Sequence, residues 1–442
     1  MSSTCSGIVV EISLILTPVL ILAQRPGVFP LSNLDVVTAS VSGNLYELEM
    51  EQEADMSTTA IARTDWRQEW FEFEDATYLN LAGQSPMPKV SLKAVQTALE
   101  GKKFPHTKPD STFFELPNRI RTSIAQIIGA KPEEIAVTSG ASSGAIAVAH
   151  GLQWKPGDEV ITAKSEFPLQ YTTWKPMEQR EGIKLKIVGP RERFITADDL
   201  IAAMTPRTRL VSVSHVRYND GSLLDAAKLA KACHAQGALL LLDVSQSCGA
   251  VPMNVNDLGA DFLIGAGYKW LLGPFGTGFF WVKQEHLAMV RPDAYYWMAV
   301  EGSDNFAALN FADPKPAGNA KRWDSAEWAS YFNFNLVGMD TSVSFAAQAG
   351  AETVAAHNRK LIELLFERLP KDRCVIASPL DAAQRGPYGC FAARSPEKTA
   401  ELYNQLRKEN VIVSLRDGNI RVSPYLYNTE QDIDRLIAVV TA

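Results

Sequence analysis

The chain has 442 residues, with 43 lysines and arginines against 50 aspartates and glutamates, and a formal net charge of −7. Its 46% hydrophobic content and low net charge exclude a chain that is disordered throughout, and its unpatterned glycines and prolines exclude collagen-like and coiled-coil classes. At about 150 residues per domain, this length predicts two or three domains.

The first segment of the chain is acidic and partly apolar. Residues 1–55 hold seven acidic side chains and one basic side chain, which leaves the rest of the chain close to neutral. The apolar run at residues 9–23 is short for a transmembrane helix and is interrupted by Glu11. It also lacks the basic residue that precedes the apolar part of a secretory signal.

Three interpretations of this leader, residues 1–64, stay open. The start could be assigned too early, with the protein beginning at Met56, or the segment could be a disordered extension or a membrane anchor. We expect the leader to be disordered or not native, and to take no part in function.

From residue 65 to residue 335, short apolar runs alternate with helical patterns. The runs are continuously apolar, which is typical of parallel strands covered on both faces. This order predicts an α/β domain with a doubly wound, mainly parallel sheet and an N-terminal arm, and an active site at the carboxyl ends of its strands. The predicted strands are 135–140, 158–167, 183–190, 209–216 and 238–245, and the predicted helices between them include 142–152, 196–206 and 225–237.

The pattern changes after residue 335. Short strands at 373–377, 388–393, 411–415 and 419–423 are flanked by helices at 340–369, 396–409 and 429–441. We predict a smaller α+β domain over residues 336–442.

The cysteines and histidines are scattered along the chain. The five cysteines, Cys5, Cys233, Cys248, Cys374 and Cys390, contain no C-x-x-C pair, which favours a reduced, cytoplasmic protein. No metal-ligand spacing is present, so no metal site is predicted. Because the body of the chain has no basic stripe, nucleic acid is not an expected partner, and no membrane partner is expected either.

Lys269 is the most informative single residue. It is the only charged side chain between Asp261 and Lys283, in an apolar, aromatic and glycine-rich stretch. Burial lowers the pKa of a lysine and makes it nucleophilic, as in Schiff-base lysines. A lysine that extends its ammonium to solvent from a strand end is the alternative.

Two other features precede Lys269. Asp243 follows four leucines at the end of a predicted strand, where it could hold the protonated ring nitrogen of a cofactor or cap the next turn. The turn at residues 138–145 joins a strand to a helix, and the amide groups at a helix N-terminus can bind phosphate. An ordinary helix cap is the alternative for this turn.

A phosphate-binding turn, a buried aspartate and a buried lysine in this order resemble the class V aminotransferases. This pyridoxal-phosphate family, of fold type I, includes cysteine desulfurases, kynureninase and isopenicillin N epimerase-like enzymes. The resemblance extends over residues 76–440. The segments that carry it are YLNLAG (78–83), TSGASSGAI (138–146), SEFP (165–168), HVRY (215–218), LLDVSQ (241–246), GYKW (267–270) and IRVSPYLYNT (420–429).

The resemblance implies a role for each matching residue. Lys269 would form a Schiff base with pyridoxal 5′-phosphate and move the Cα proton, and Asp243 would keep the pyridine nitrogen protonated. Arg421 would bind the substrate α-carboxylate through its two-pronged guanidinium. The remaining contacts would come from Phe167 stacked on the ring, from Gln246 and Tyr218 at the phenolic oxygen, and from Ala141, Ser142 and Tyr268 at the phosphate.

The resemblance leaves the reaction open. An aminotransferase is the first expectation, and a Cβ lyase of the C–S or kynureninase type or an epimerase is the alternative. A silent scaffold that binds the cofactor is a hypothesis of another class, which the presence of Lys269, Asp243 and Arg421 disfavours. A nicotinamide dehydrogenase is disfavoured because no G-x-G-x-x-G follows a strand.

The chain departs from the family at several positions. Residues 409–419 lack the nucleophilic cysteine of the desulfurases, and Cys390 is typical of a core residue. Glu327 stands where relatives bring a threonine to the phosphate of the neighbouring subunit. We still expect a homodimer, because the family builds its site between subunits.

Overall fold

The computed structural model describes residues 66–309, 312–325 and 334–442. The predictions for the leader at residues 1–64 and for Glu327 lie outside the described residues.

A seven-stranded sheet forms the centre of the molecule. Its strand order is β2-β8-β7-β6-β5-β3-β4, in which β8 alone runs antiparallel to its neighbours. The predicted doubly wound, mainly parallel sheet is confirmed. Its strands are β2 (Ile135–Thr138), β3 (Glu159–Ala163), β4 (Lys184–Val188), β5 (Thr208–Ser214), β6 (Leu239–Asp243), β7 (Phe262–Ala266) and β8 (Gly278–Val282).

The central strands have continuously apolar sequences because both of their faces are covered. Along β6, Leu240 and Leu242 pack into one hydrophobic cluster while Leu239 and Leu241 pack into a second cluster. The helices of this part are α1 (Lys89–Gly101), α2 (Thr112–Ile128), α3 (Ala141–Gly151), α4 (Leu169–Thr172), α5 (Lys175–Glu181), α6 (Ala197–Ala202), α7 (Ala226–Ala235) and α8 (Val255–Leu258).

A second, four-stranded antiparallel sheet lies in the C-terminal part of the chain, with the strand order β12-β13-β10-β9. Its apolar face packs against helices in a separate hydrophobic cluster. The elements are α9 (Phe334–Ala349), α10 (Ala351–Arg368), β9 (Cys374–Ile376), β10 (Gly389–Ala393), α11 (Pro396–Lys408), β11 (Val411–Ile412), β12 (Ser414–Arg416), β13 (Asn419–Val422) and α12 (Glu430–Thr441).

The helix predicted at 340–369 is two helices. The chain breaks at Gly350, whose φ of +77° is a left-handed conformation that glycine adopts at low cost. The first helix, α9, packs against α1 and α2. The boundary that we place after residue 335 stays a prediction.

An N-terminal arm, residues 77–85, joins the beginning of the described chain to its end. Its strand β1 (Thr77–Tyr78) pairs in parallel with β11, and the amide of Ala82 donates to Ser423 Oγ at 3.0 Å. The arm then reaches the large sheet, where Ala82 O accepts from Gln246 Nε2 at 3.0 Å and the amide of Ser85 donates to Tyr268 O at 3.1 Å.

Two groups of buried polar side chains fasten loops to the large sheet. Arg121 and Asp324 form an ion pair with side chains 6% and 3% exposed. Burial raises the pKa of Asp261, but hydrogen bonds from His286 at 2.7 Å, from a backbone amide and from His234 at 3.0 Å outweigh burial and lower that pKa.

Within the described ranges, no helix is both long and apolar enough to cross a membrane.

Candidate active site

Five of the nine predicted site residues line one small cleft at an edge of the large sheet, and Ala141, Ser142, Tyr268 and Arg421 are not part of that lining. Strands β2, β3, β5, β6 and β7 are parallel, so their carboxyl ends lie along the same edge. This is the edge at which open α/β sheets bind their ligands. The small cleft there is lined by Phe167, Ser214, Val216, Tyr218, Asp243, Ser245, Gln246 and Lys269.

Lys269 lies three residues beyond the end of β7 and is 7% exposed. Burial lowers the pKa of its ammonium from 10.5 to about 8, against an opposing effect of Asp243, and the guanidiniums of Arg421 and Arg416 lower it further. Its Nζ lies 5.2 Å from the centre of the Phe167 ring. A lysine in this setting carries a substantial neutral fraction near neutral pH, and a neutral amine is the nucleophilic form.

Asp243 is the last residue of β6 and is 5% exposed. One carboxylate oxygen accepts a hydrogen bond from the amide of Ser245 at 2.8 Å. Within the described residues it forms no ion pair, and its charge raises the pKa of Lys269. A buried carboxylate with unused acceptor capacity is suited to hold a cationic group of a ligand.

The turn after β2 leads directly into α3. Gly140 caps this helix with a φ of +154°, and a Cβ built on it would meet no atom within 4 Å. Gly278 of β8 lies against it, since a Cβ there would be 2.5 Å from the Gly140 Cα. Ala141 and Ser142 lie in the first turn of this helix, where backbone amides have no partner within the helix and can bind a phosphate.

Phe167 and Tyr218 form an aromatic wall on the other side of Lys269. Their ring centres are 5.6 Å apart with the planes nearly perpendicular, and Phe167 is 39% exposed. A buried ion pair precedes both rings in the chain, because Glu166 and Arg217 are 3.2 Å apart with side chains 1% and 6% exposed. This pair fixes the loops after β3 and β5, and therefore both rings.

Arg217 and Ser214 both bind the buried carboxylate of Glu166. Burial raises the pKa of its carboxyl, and the Arg217 guanidinium and hydrogen bonds from Ser214 oppose that effect. Ser214 donates through its amide at 3.0 Å and through its hydroxyl at 2.6 Å.

Gln246 is already engaged by protein groups. Its Nε2 donates to Ala82 O at 3.0 Å, and its Oε1 accepts from Trp270 Nε1 at 3.1 Å. The second N–H of the amide remains for a ligand, and the contact with a phenolic oxygen stays a prediction. Tyr268 packs on Phe275 with ring centres 4.5 Å apart, and its ring centre is 5.7 Å from Lys269 Nζ.

Arg421 lies on β13 and is 1% exposed. Its Nη1 donates to Tyr218 O at 2.9 Å and its Nη2 to Ser414 Oγ at 3.4 Å, while its Nε has no partner. Burial lowers the pKa of this guanidinium. No carboxylate of the described chain pairs with it, so this buried cation is suited to bind an anionic group of a ligand.

These residues fit pyridoxal phosphate by their chemistry. The helix N-terminus suits a phosphate, the unpaired Asp243 suits a ring nitrogen that carries a proton, and the partly exposed Phe167 ring suits stacking on a flat ring. The buried amine of Lys269, with its lowered pKa, suits attack on an aldehyde.

Sequence reasoning missed four residues around the site, namely Glu166, His215, Arg217 and Arg416. Burial lowers the pKa of His215 to about 4, and its Nδ1 lies 3.0 Å from Ser247 Oγ, so this buried imidazole is neutral. The signal for the Glu166–Arg217 pair was present, since both charges directly precede predicted site aromatics. That signal identifies a partner only once β3 and β5 are known to be adjacent.

The cysteines of the described residues are all buried. Burial raises the pKa of the thiols of Cys233, Cys248, Cys374 and Cys390, which keeps them protonated at neutral pH. Cys390 is part of a hydrophobic cluster, as predicted. The described residues therefore offer no reactive thiol at the site.

Comparisons with known proteins agree with this geometry. The family model described as Aminotransferase class-V matches residues 77–436. The chain is 24% identical to the uncharacterized aminotransferase YcbU of Bacillus subtilis over 377 residues, which is 85% of this chain and 97% of that protein. It is 27% identical to the isopenicillin N epimerase of Streptomyces clavuligerus over 341 residues, which is 73% of this chain and 83% of the epimerase.

Among solved structures, the same fold is found in a mutant of C-DES with glycine covalently linked to its PLP cofactor. The two chains superpose with a TM-score of 0.76 over 85% of this chain and 99% of that one, at 22% sequence identity.

Proposed function

Because the chain belongs to the aminotransferase class-V family, a family of pyridoxal-phosphate-dependent enzymes, we propose that it uses this cofactor to act on an amino acid, and that the reaction is a transamination. The observation that carries the proposal is the cleft of Lys269 and Asp243. There, a buried amine with its pKa lowered to about 8 and an unpaired carboxylate share the carboxyl edge of the sheet.

When bound, pyridoxal phosphate supplies an electron-accepting ring joined to an aldehyde. Asp243 holds a positive charge at the ring nitrogen, and the α3 N-terminus with Ala141, Ser142 and Tyr268 holds the phosphate. Phe167 fixes the ring plane, while Gln246 and Tyr218 donate hydrogen bonds at its edge. Asp243 ends β6 and Ala141 begins α3, whereas Phe167, Tyr218, Gln246 and Tyr268 lie in the loops that follow the strands.

Arg421 binds the α-carboxylate of the substrate and thereby orients its Cα–H bond. Lys269 Nζ then acts as the general base that takes the Cα proton and as the acid that delivers it to a different carbon, for which a pKa near 8 is well matched to neutral pH. The low exposure of Lys269 and Arg421, 7% and 1%, keeps bulk water away from that proton.

Two observations support transamination, of which the second weighs only against reactions that use a cysteine nucleophile. The similarity to the aminotransferase YcbU extends over nearly the whole of that protein. In addition, the four cysteines of the described residues are buried with raised pKa values, which disfavours chemistry at a cysteine thiolate. The similarity to isopenicillin N epimerase supports epimerisation as a second candidate.

The proposal is tested by the visible absorption spectrum of the purified protein with pyridoxal phosphate, compared between wild type, Lys269→Ala and the exposed control Lys231→Ala. We expect an absorption band in wild type and in the control that is lost or shifted in Lys269→Ala. A protein that stays colourless after addition of cofactor would overturn the catalytic proposal in favour of a silent scaffold.

The reaction is then assigned by nuclear magnetic resonance of mixtures with single L-amino acids. Transamination converts more than one equivalent of the amino acid per site only when a 2-oxo acid acceptor is present. Release of a side-chain fragment without an acceptor would establish a lyase, and exchange of the Cα proton with inversion would establish an epimerase.

We also propose that the enzyme is a homodimer. Large aromatic side chains are exposed in the single chain, including Phe275 at 55%, which packs on Tyr268, and Phe104 at 58%. Sedimentation equilibrium should give twice the chain mass, and a monomer at micromolar concentration would contradict the proposal.

A further inference from the structure

Arg416 and Arg421 lie on one face of a two-stranded ribbon. In the register of β12 and β13, Ser414 is opposite Arg421 and Arg416 is opposite Asn419. Opposite residues of an antiparallel pair point to the same side, as do residues two apart on one strand. The two arginines are therefore diagonal neighbours on one face, with Cα atoms roughly 7–8 Å apart.

The ribbon presents this face to the cleft. Its other face carries Leu415 and Ile420, which pack in the hydrophobic cluster of the C-terminal sheet. The arginine face is fastened to the loop after β5, because Arg421 Nη1 donates to Tyr218 O at 2.9 Å. Asn219 Nδ2 in the same loop donates to Asp417 Oδ2 at 2.9 Å, so the hairpin turn is fixed as well.

Arg416 has most of its donors unused. Its Nη1 donates to Leu415 O at 2.8 Å, and within the described residues it forms no ion pair. The adjacent carboxylate of Asp417 does not come within 4.0 Å of it and accepts from Asn219 instead. The residue is half-buried, and no carboxylate of the described chain pairs with its guanidinium.

Lys269, Arg421 and Arg416 lie close enough for their charges to affect one another. The charges of Arg421 and Arg416 both act on Lys269 and lower the pKa of its ammonium, and the charge of Arg416 also reaches Tyr218 and Arg421. In the proposed function, Lys269 reacts with the cofactor and Arg421 takes the α-carboxylate. Arg416 is then a cation with no assigned partner, on the same face of the ribbon as Arg421.

We propose that Arg416 binds a negatively charged group at the end of the substrate side chain, so that the enzyme acts on an acidic amino acid. This inference rests on the proposed function and names its substrate class. Guanidinium groups bind carboxylate and phosphate through paired hydrogen bonds, and either group satisfies the site. With Arg421 on the α-carboxylate, the ribbon acts as a clamp that holds the substrate at both ends.

The test measures the apparent affinity of the holoenzyme for amino acids by titration calorimetry, without an amino-group acceptor so that at most one half-reaction per site occurs. The probes are L-aspartate, L-glutamate and O-phospho-L-serine, with L-asparagine and L-glutamine as neutral counterparts of the same shape. The variants are Arg416→Gln, Arg416→Lys and, as a control on the exposed surface of α11, Arg407→Gln.

We expect wild type to bind at least one acidic probe about tenfold to a hundredfold more tightly than the neutral counterpart, the ratio typical of one charged hydrogen-bonded contact. Arg416→Gln should remove that ratio while leaving the affinity for the neutral counterpart unchanged, Arg416→Lys should keep part of it, and Arg407→Gln should keep all of it. The acidic probe that binds best separates a carboxylate from a phosphate substrate.

Equal affinities of wild type for acidic and neutral probes would overturn the inference, as would an acidic preference that persists in Arg416→Gln. Either result leaves the proposed function in place, because cofactor binding is read independently from the absorption band and from its loss in Lys269→Ala. If the absorption band itself is absent, the proposed function fails and the inference fails with it.

Discussion

Lys269 is expected to lose its proton near pH 8 in the protein without cofactor. Burial is the main cause of the lowered pKa, and the shift from 10.5 to about 8 corresponds to roughly 3 kcal/mol against the charged form. At pH 7.5 a lysine with a pKa of 8 is about one quarter neutral, whereas an ordinary lysine is about one thousandth neutral. The folded protein therefore raises the concentration of the reactive amine about 200-fold.

Two substitutions should move this pKa in opposite directions. Asp243→Asn removes the carboxylate that raises the pKa of Lys269, so the lysine should titrate below pH 8. Arg421→Gln removes a cation that lowers the pKa, so the lysine should titrate above its wild-type value.

The assay is trace acetylation of the cofactor-free protein with acetic anhydride between pH 6 and pH 11, followed by mass spectrometry. The exposed Lys231 serves as an internal reference for reagent decay, and circular dichroism confirms that each variant is folded. A wild-type Lys269 that titrates at pH 10 or above would refute the argument from burial. An unchanged titration in Asp243→Asn would show that the carboxylate and the amine do not share one cleft.

Three further predictions concern stability. Gly278→Ala would place a Cβ 2.5 Å from the Gly140 Cα and should destabilise the fold by about 1–3 kcal/mol in urea unfolding. The control Gly318→Ala, whose Cβ would meet no atom within 4 Å, should leave the stability unchanged. Equal effects of the two substitutions would contradict the close contact of Gly278 with the turn. Arg121→Met strands the buried carboxylate of Asp324 and should cost about 3–5 kcal/mol, part of which returns when Asp324→Asn is added; no recovery in the double variant would argue against a stranded charge. Because Asp261 has a lowered pKa in the folded state, it stabilises the protein above its unfolded pKa of 3.8, and this contribution is lost as the pH falls through the folded-state pKa. Urea midpoints of Asp261→Asn should therefore be lower at pH 7 and fall less steeply below pH 4, and parallel pH profiles would refute this.

The large sheet was predictable because a strand that is covered on both faces has apolar residues at successive positions. The run of leucines in β6, with Asp243 at its end, indicates a covered parallel strand and a polar group at the ligand edge. Lys269 stands out for the same reason, as a charge in an apolar stretch. These signals are local, and they need no knowledge of which strands are neighbours.

The features that the sequence did not reveal depend on pairing between distant segments. The antiparallel insertion of β8 between β2 and β7 has no local signature, since its sequence is as apolar as those of the parallel strands. Placing Arg416 on the same face as Arg421 required the register of the β12–β13 hairpin. Its turn, Asp417 and Gly418 with φ values of +50° and +79°, is a dipeptide typical of tight hairpins, and it was the available clue.

The N-terminal arm sets a condition on when the protein can become active during its synthesis. The hydrogen bond from Ala82 to Ser423 joins residues 341 positions apart, and the same arm supports Gln246 and Tyr268 in the cleft. At about 5–20 residues per second, a ribosome needs roughly 20–70 s to make the partner after the arm has been translated. Until then the arm has no strand to pair with. A nascent chain that already contains Lys269 and Asp243 therefore lacks the paired arm that contacts Gln246 and Tyr268.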